Sequence, residues 1–382
     1  MKLIDYHNLP DTCMVKITDS FRMSLFANFT AKQLAATFSN SVSSFKYYKR
    51  GESFIPINLF KKLLNLNKFD ELEINASILE IKKRLCGKSI KLMLPIFASA
   101  DLAELIGHTL GDGHISKAGR FVYVNTSTEL IDRVIFLTKT SLDRAGYYDY
   151  RKRKDGSIGL YYPSAIGELL VICGGIKGKK VEQDFDIPEW IKQGDNEIKG
   201  AFIRALFDDE GTVSSTRIAI NMAKLDYLAE SLRKFFSSLI VLLNDLDVRP
   251  GRIVRCARRR NKNGTVSIGL LFVICGFKEL TSFYNNIGFI HSSKQEKLRN
   301  KINSFIQPNY HNGETRAIIL NSISGLMSTK EISRLIQRGT KNARYHLKLL
   351  EKEGKLKKVI VHQSKWLWQR NEELKEQAIS PI

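Results

Sequence analysis

The chain has 382 residues, too many for one small domain, and its 43% hydrophobic content excludes a disordered chain. Lys and Arg number 60 against 39 Asp and Glu, a formal charge of +21 that points to a polyanionic partner, nucleic acid ahead of a membrane surface. The longest apolar run, "SSLIVLLNDL", is too short to span a bilayer, and "MKLIDYHNLPD" is no secretion signal, so a cytoplasmic, nucleoid-associated protein is expected. Cys13, Cys86, Cys173, Cys256 and Cys275 form no C-x-x-C pair, so reduced thiols, acting as small buried apolar residues, are expected rather than a zinc site.

The first segment, 1–95, reads as Lys-rich and mostly helical. In "TAKQLAATFSNSVSSFKYYKRGESFIPINLFKKLLNL", Leu34, Ala35 and Phe38 make one apolar face, the "SNS" turn breaks the helix, and "VSSFKYYKR" carries Lys46, Lys49 and Arg50 up to Gly51. This layout resembles the helix-turn-helix of phage-repressor-like regulators, which implies a DNA-binding role for those three cations. A three-helix bundle with a basic surface is the alternative.

Residues 96–305 contain an internal repeat, with halves at 96–192 and 197–305. "ELIGHTLGDGHIS" and "FIRALFDDEGTVS" share one plan: an apolar helix, an acid, Gly, then a small polar strand. Each half then reads as strand, helix, two strands and helix, and both contain "SIGL", so each is α-β-β-α-β-β-α. Two such halves predict a pseudo-dimer about a shared axis. Asp155-Gly156 and Asn263-Gly264 are two-residue hairpin-turn signals, with positive φ allowed at both positions. The strands leading in carry Arg151, Lys152, Arg153 and Lys154, then Arg255, Arg258, Arg259, Arg260 and Lys262. Charges at alternate positions fall on alternate faces, so not all reach one partner. Their recurrence at equivalent places in a repeat favours a nucleic-acid surface over a merely solvated face.

Gly107 and Gly111 lie four apart, on one helix face, and let a partner helix approach closely. Two such helices side by side bring Asp112 and Glu210 together at their C-terminal ends. There the helix dipole and mutual repulsion both oppose the charges. A divalent cation relieves both, and Mg²⁺ (or Mn²⁺) suits a site with few protein carboxylates. The nine-residue runs 105–113 and 203–211 resemble the paired LAGLIDADG motifs of the homing endonuclease family. The resemblance covers 96–305. It implies an α+β fold with saddle-shaped antiparallel sheets, a monomer with internal pseudo-two-fold symmetry, and metal-dependent cleavage of both strands of duplex DNA. It also implies a basic residue late in each half, Lys180 (or Lys179) and Lys294, beside the reacting water. Ala205 stands at the small-residue position of the second motif. Asp209 departs from the pattern and is expected to loosen the helix contact or crowd the metal site. Asp208 precedes it. His108 and His114 are read as packing residues, not ligands.

The third segment, 314–371, contains "STKEISRLIQRGTKNARYHLKLLEKEGKLKKVIVHQSKWLWQ". Ser328 and Glu331 make a capping box, Arg338-Gly339 ends that helix, Thr340 is a candidate cap for the next, and Ala343, Leu347 and Leu350 follow helical spacing. Two alternating strands follow around "HQS". The order resembles a winged helix-turn-helix, which implies Thr340, Lys341, Arg344 and Tyr345 facing a major groove. Protein contact is the alternative use of that fold.

Splicing is not expected: the N-terminus lacks a splicing nucleophile, and Gly313 follows His311-Asn312. The expected function is site-specific double-strand DNA cleavage, of the kind that serves intron or intein mobility. A domesticated transcriptional regulator without nuclease activity is the second reading, and RNA processing the third.

Overall fold

A computed structural model describes residues 1–83, 87–144, 146–305, 313–362 and 365–371. Cys86, His311, Asn312, Gln363 and Ser364 lie outside them. The fold mixes helices with antiparallel sheets, and no helix among the described residues is long and apolar enough to cross a membrane. Residues 1–298 form one compact unit and 299–382 a second.

In the first unit, two helices dominate, Ala100–Leu110 and Asn196–Glu210. Ser99 and Asp195 start them by accepting the backbone N–H of Leu102 and Ile198. Each helix leads directly into a short strand, Gly113–Ile115 or Gly211–Val213. The following elements match in kind. After the first come Phe121–Asn125, the helix Thr128–Ser141, Asp149–Lys152, Ile158–Tyr161 and the helix Ser164–Ile172. After the second come Ile218–Leu225, the helix Ala229–Asp245, Val254–Arg260, Val266–Ile274 and the helix Phe277–Asn286. Both runs form four-stranded sheets with the same strand order, and the basic strand is an edge in each.

The two long helices meet where side chains are smallest. A Cβ built on Gly107 would lie 2.6 Å from the Phe202 carbonyl oxygen and 2.7 Å from Ala205 Cβ. A Cβ on Gly111 would run into the Asp209 carboxylate. Around this contact Leu102, Leu105, Ile106, Phe202, Ile203 and Leu206 are fully buried. Glu104 ties the helices further: it accepts from Arg133 at 2.6 and 3.0 Å and from Arg204 of the other helix at 2.9 Å. Burial works against its charge, but the two guanidinium groups outweigh it and hold its carboxyl below the usual range.

Both hairpins differ from the two-residue turns expected. Arg153 N–H donates to Ser157 and Gly156 N–H to Arg153; Asn261 N–H donates to Thr265 and Gly264 N–H to Asn261. These are three-residue loops closed by a glycine bulge, so only Gly156 and Gly264 need positive φ. Asp155 and Asn263 instead accept from the backbone N–H and hydroxyl of Ser157 and Thr265. Two thiols also depart from burial. Cys13 and Cys173 are buried, whereas Cys256, at an edge-strand bulge, and Cys275, at a strand end, are exposed.

The N-terminal segment is not purely helical. The helices Ala31–Thr37, Val42–Arg50 and Ile57–Leu64 form as expected; Thr30 and Ser41 cap the first two with their side chains, and Pro56 precedes the third. Alongside them runs a four-stranded antiparallel sheet of Ile55–Pro56, Cys13–Ile17, Ile78–Lys83 and Ile90–Lys91. Alternation in "CMVKI" and "ILEIKK" buries Val15 and Ile81. Short Lys-rich strands masked this signal. The segment joins the core through Lys83 to Glu168 at 2.7 Å and Lys91 N–H to Asp143 at 3.0 Å.

In the second unit, the helices Glu314–Ser322, Thr329–Leu335 and Thr340–Lys352 precede a hairpin of Leu356–His362 and Lys365–Arg370. The Ser328–Glu331 capping box forms. The first of its two later turns differs: the Thr329–Leu335 helix stops at Ile336, ahead of Arg338-Gly339, and Gln337 takes positive φ. Gly339, not Thr340, is the next N-cap, and Thr340 is already the first helical residue. Ile319, Ile332, Ile336, Ala343, Leu347, Leu350, Leu356 and Trp368 make the core.

Gly107→Ala tests the helix contact. At an exposed helical site this change stabilises by about 1 kcal/mol. Here the added carbon meets backbone, and a loss of about 1–3 kcal/mol is expected from overpacking. Chemical denaturation reads the sign, and a gain would show that the helices do not rely on this contact.

Candidate active site

Asp112 follows the end of one long helix, and Glu210 is the last residue of the other. The Asp112 carboxylate accepts from Asn125 Nδ2 at 2.8 Å, and its backbone N–H donates to Asp209 Oδ2 at 3.0 Å. Glu210 has no hydrogen-bond partner for its carboxylate among the described residues. Asp112 remains open to solvent and Glu210 is half-buried, yet protein surrounds both carboxyls on most sides. This desolvation raises them. Asp209 then raises Asp112 further, to about 6, and Asp112 raises Glu210, to about 7, while Lys180 and Lys294 pull both back. Asp112 and Glu210 thus lie close enough to act on each other, with Asp209 acting on both.

Lys180 and Lys294 occupy equivalent places. Lys180 donates to the carbonyls of Leu110 and Gly111; Lys294 donates to those of Phe207 at 3.2 Å, Gly211 at 2.6 Å, and Asp208. Each caps the carbonyl end of one long helix, where cations are favoured. Burial lowers the pKa of both against the pull of the acids. Lys179 is turned to solvent and pairs with Glu182 at 2.8 Å. Asp208 is buried and accepts from Ile290 and His291 N–H, which fixes the loop ahead of Lys294.

Asp209 neither loosens the helices nor stands free as an extra ligand. Its side chain is fully buried in the space Gly111 leaves, with Tyr123 OH donating to it at 2.8 Å and His108 Nδ1 at 3.1 and 3.2 Å from its two oxygens. His108 is therefore more than packing. Burial opposes its charged form, but Asp209 outweighs that and raises its pKa. The register pairs Tyr123 with Gly113 and Val122 with His114, so Tyr123 faces the helices and His114 the open face of the sheet. Sequence reading missed Tyr123, Asn125 and Glu104; a buried polar residue on an otherwise apolar helix or strand is the signal that could have found them. A cavity of about 290 Å³ adjoins Lys180 and Glu210 and is lined by Asn221 and Lys224, whose amine is pushed down to about 8 by burial.

The basic strands divide as pleating requires. Arg151 pairs with Gly159 on the open face, its guanidinium 4.7 Å from the Tyr161 ring centroid, while Lys152 pairs with buried Ile158 on the helix side. Arg259 pairs with Ser267 on the open face; Arg255, Arg258 and Arg260 take the other side. Arg153, Lys154 and Lys262 are exposed at the hairpin tips. In the N-terminal segment Lys46 and Arg50 are exposed, but Lys49 is committed to the carbonyls of Phe26 and Phe29, at 3.3 and 2.6 Å. In the second unit Thr340, Lys341, Arg344 and Tyr345 are all exposed on one helix.

Among the described residues no three His, Cys, Asp or Glu side chains converge on a metal position. Two crowded carboxylates suit a hard cation that takes its other ligands from water and phosphate.

No family model matches the chain. It is 30% identical over 199 residues to the replication factor C small subunit of Methanocaldococcus jannaschii, covering 52% of this chain and 10% of that protein. It is 29% identical over 168 residues to the tRNA-splicing ligase RtcB of Methanopyrus kandleri, covering 38% of this chain and 17% of that protein. The chain thus spans a small part of either relative. Among solved structures, mesophilic variants of the homing endonuclease I-DmoI share 17% identity over 50% of this chain and 90% of theirs, with a TM-score of 0.33. I-DmoI bound to DNA and Mn gives 17%, 50%, 97% and 0.33 in the same order.

The raised carboxyls carry a signed pH dependence. Both hold protons more tightly folded than unfolded, so their contribution is full below pH 3.8 and is lost as pH rises through about 6 and 7. Mg²⁺ should offset that loss only where the pair is ionised. Calorimetry at about pH 8 should show a higher Tm with Mg²⁺, worth about 2.7 kcal/mol at ~100 times the dissociation constant, and almost no change near pH 5. An equal Mg²⁺ shift in Asp112→Asn/Glu210→Gln would place the cation elsewhere.

Proposed function

We propose that this chain is a metal-dependent DNA endonuclease of the LAGLIDADG type, cutting both strands of a specific duplex. The observation that carries the reading is the coupled Asp112–Glu210 pair at the ends of two helices joined at Gly107 and Ala205. Lys180 and Lys294 flank it, and a basic edge strand accompanies each half. Asp112 and Glu210 would hold Mg²⁺ or Mn²⁺, which when bound activates water and stabilises the leaving oxygen of a phosphodiester. Asn125 orients the Asp112 carboxylate, while Lys180 and Lys294 fix both helix ends and place positive charge beside the scissile phosphates. Arg151 and Arg259 reach the duplex backbone from the open faces. Arg153, Lys154 and Lys262 extend that contact at the hairpin tips. Arg255, Arg258, Arg260 and Lys152 contribute mainly to the long-range field. The helix-turn-helix-like part of 1–95 and the winged-helix-like part of 314–371 add further duplex contacts through Lys46, Arg50, Thr340, Lys341, Arg344 and Tyr345. The chain works as a monomer with internal pseudo-symmetry.

The exposed polar face of the Thr340–Lys352 helix also favours a second reading, a DNA-binding regulator that does not cut. One experiment separates the two. The protein and Asp112→Asn/Glu210→Gln are incubated with a plasmid library of genomic fragments, with Mg²⁺ or EDTA. Specific double-strand cuts are expected only for the parent chain with Mg²⁺. Tight, specific binding without cuts under any condition favours the regulator.

Binding itself should weaken steeply with salt, since each neutralised phosphate releases counterions. Arg151→Ala/Arg259→Ala should lower the slope of log K against log salt by about 2, and Lys152→Ala/Arg255→Ala should change it far less. A reversed order would move the duplex to the other face of the sheets.

A further inference from the structure

The two halves differ in polarity beneath the acidic pair. Register places Tyr123 opposite Gly113 and Ile220 opposite Gly211, so these two residues are equivalent, and Asn125 is equivalent to Met222. Along the helices, His108 is equivalent to Leu206 and Gly111 to Asp209. The lysines at the two helix ends match, but His108, Tyr123 and Asn125 near Asp112 have apolar counterparts, Leu206, Ile220 and Met222, near Glu210. Asp209 points across the interface. It comes from the Glu210 helix, yet its carboxylate accepts the backbone N–H of Asp112. The reciprocal contact cannot form, because Gly111 has no side chain to offer Glu210. Asp209 is itself held by Tyr123 OH at 2.8 Å and by His108, whose ring is fully buried. Tyr123 OH also accepts from Asn125 Nδ2 at 3.2 Å, and the same Nδ2 donates to the Asp112 carboxylate. A closed chain of contacts therefore runs from His108 through Asp209 to Asp112, and back through Asn125 and Tyr123.

We propose that Asp209, clamped by His108 and Tyr123, is a positioning residue for Asp112 alone, so that the two half-sites are inequivalent: the Asp112 side is preorganised and the Glu210 side is not. The inference rests on the nuclease reading for its catalytic consequence, but not for its geometry. Groups that orient a metal-binding residue typically cost 10–100-fold in metal affinity or activity when removed. Loss of Asp209 should therefore act on one DNA strand.

The test combines two readouts on the full chain. The first is the Asp112 amide resonance in Asp-labelled protein, because a hydrogen bond to a carboxylate deshields that proton. Asp209→Ala should move it upfield, and Asp209→Asn, which keeps one acceptor oxygen, should largely retain it. The second is strand-resolved nicking under single-turnover conditions with Mn²⁺. Asp209→Ala should slow one strand by 10–100-fold, leave the other nearly unchanged, and be substantially rescued in Asp209→Asn. In a Glu210→Gln background it should slow the remaining nick by the same 10–100-fold. Should Asp209→Ala not fold, Tyr123→Phe removes one of the two clamps and must give the same one-strand loss, smaller in size. An Asp112 amide indifferent to Asp209 overturns the proposal. So does equal slowing of both strands, which would mark a general structural role. If the parent chain cuts no duplex while the amide responds as expected, the nuclease reading fails and the positioning contact stands.

Discussion

The close approach of two helices at Gly107 is the constraint on which the rest of the core depends. The space that one missing Cβ leaves is filled by the Phe202 carbonyl and the Ala205 methyl. That approach sets where both helices end. Since a strand follows each helix directly, it also sets where both sheets begin. Carboxylates at two helix C-termini are electrostatically disfavoured, and the protein retains them by placing a lysine on each set of terminal carbonyls. Burial first, and the neighbouring carboxylates second, keep the pKa values of Asp112 and Glu210 raised despite those lysines.

Approximate symmetry and its local failure do different jobs. The sheet order and the lysines at the helix ends match between the two halves. The buried set of His108, Tyr123, Asn125 and Asp209 breaks that match where the chemistry is proposed to occur. Buried polar groups are costly unless mutually satisfied. Three of the four come from the Asp112 half and Asp209 crosses over to join them, while Leu206 and Ile220, in the equivalent places of the other half, are fully buried and apolar.

Much of the element order was legible because it rests on local signals. Helical spacing, Ser and Asp caps, and Gly at strand starts are written within a few residues of where they act. The Ser328–Glu331 capping box is a clear case. The N-terminal sheet was less legible, because its strands are short, Lys-rich and separated by five helices. The hairpin loops show a finer limit: Asp-Gly and Asn-Gly mark the turn, but whether two or three residues close it depends on the register of the flanking strands. At the site, the acids and lysines could be read from the repeat. Lys49 could not be discounted from sequence, since the Phe26 and Phe29 carbonyls that it binds lie 23 and 20 residues away.

The sequence by itself determined which residues could take part: two glycine-bearing helices ending in acids, two late lysines and two basic edge strands. Spacing and residue type encode these, and they are properties of short segments. Only the tertiary structure decided what Asp209 does. In the sequence it is one acid too many beside Glu210. In the fold its side chain crosses to the other helix, fills the space of Gly111 and binds the backbone of Asp112. The physical reason is that its partners, His108, Tyr123 and Asp112, lie 86 to 101 residues away in the chain, so no local pattern can announce them.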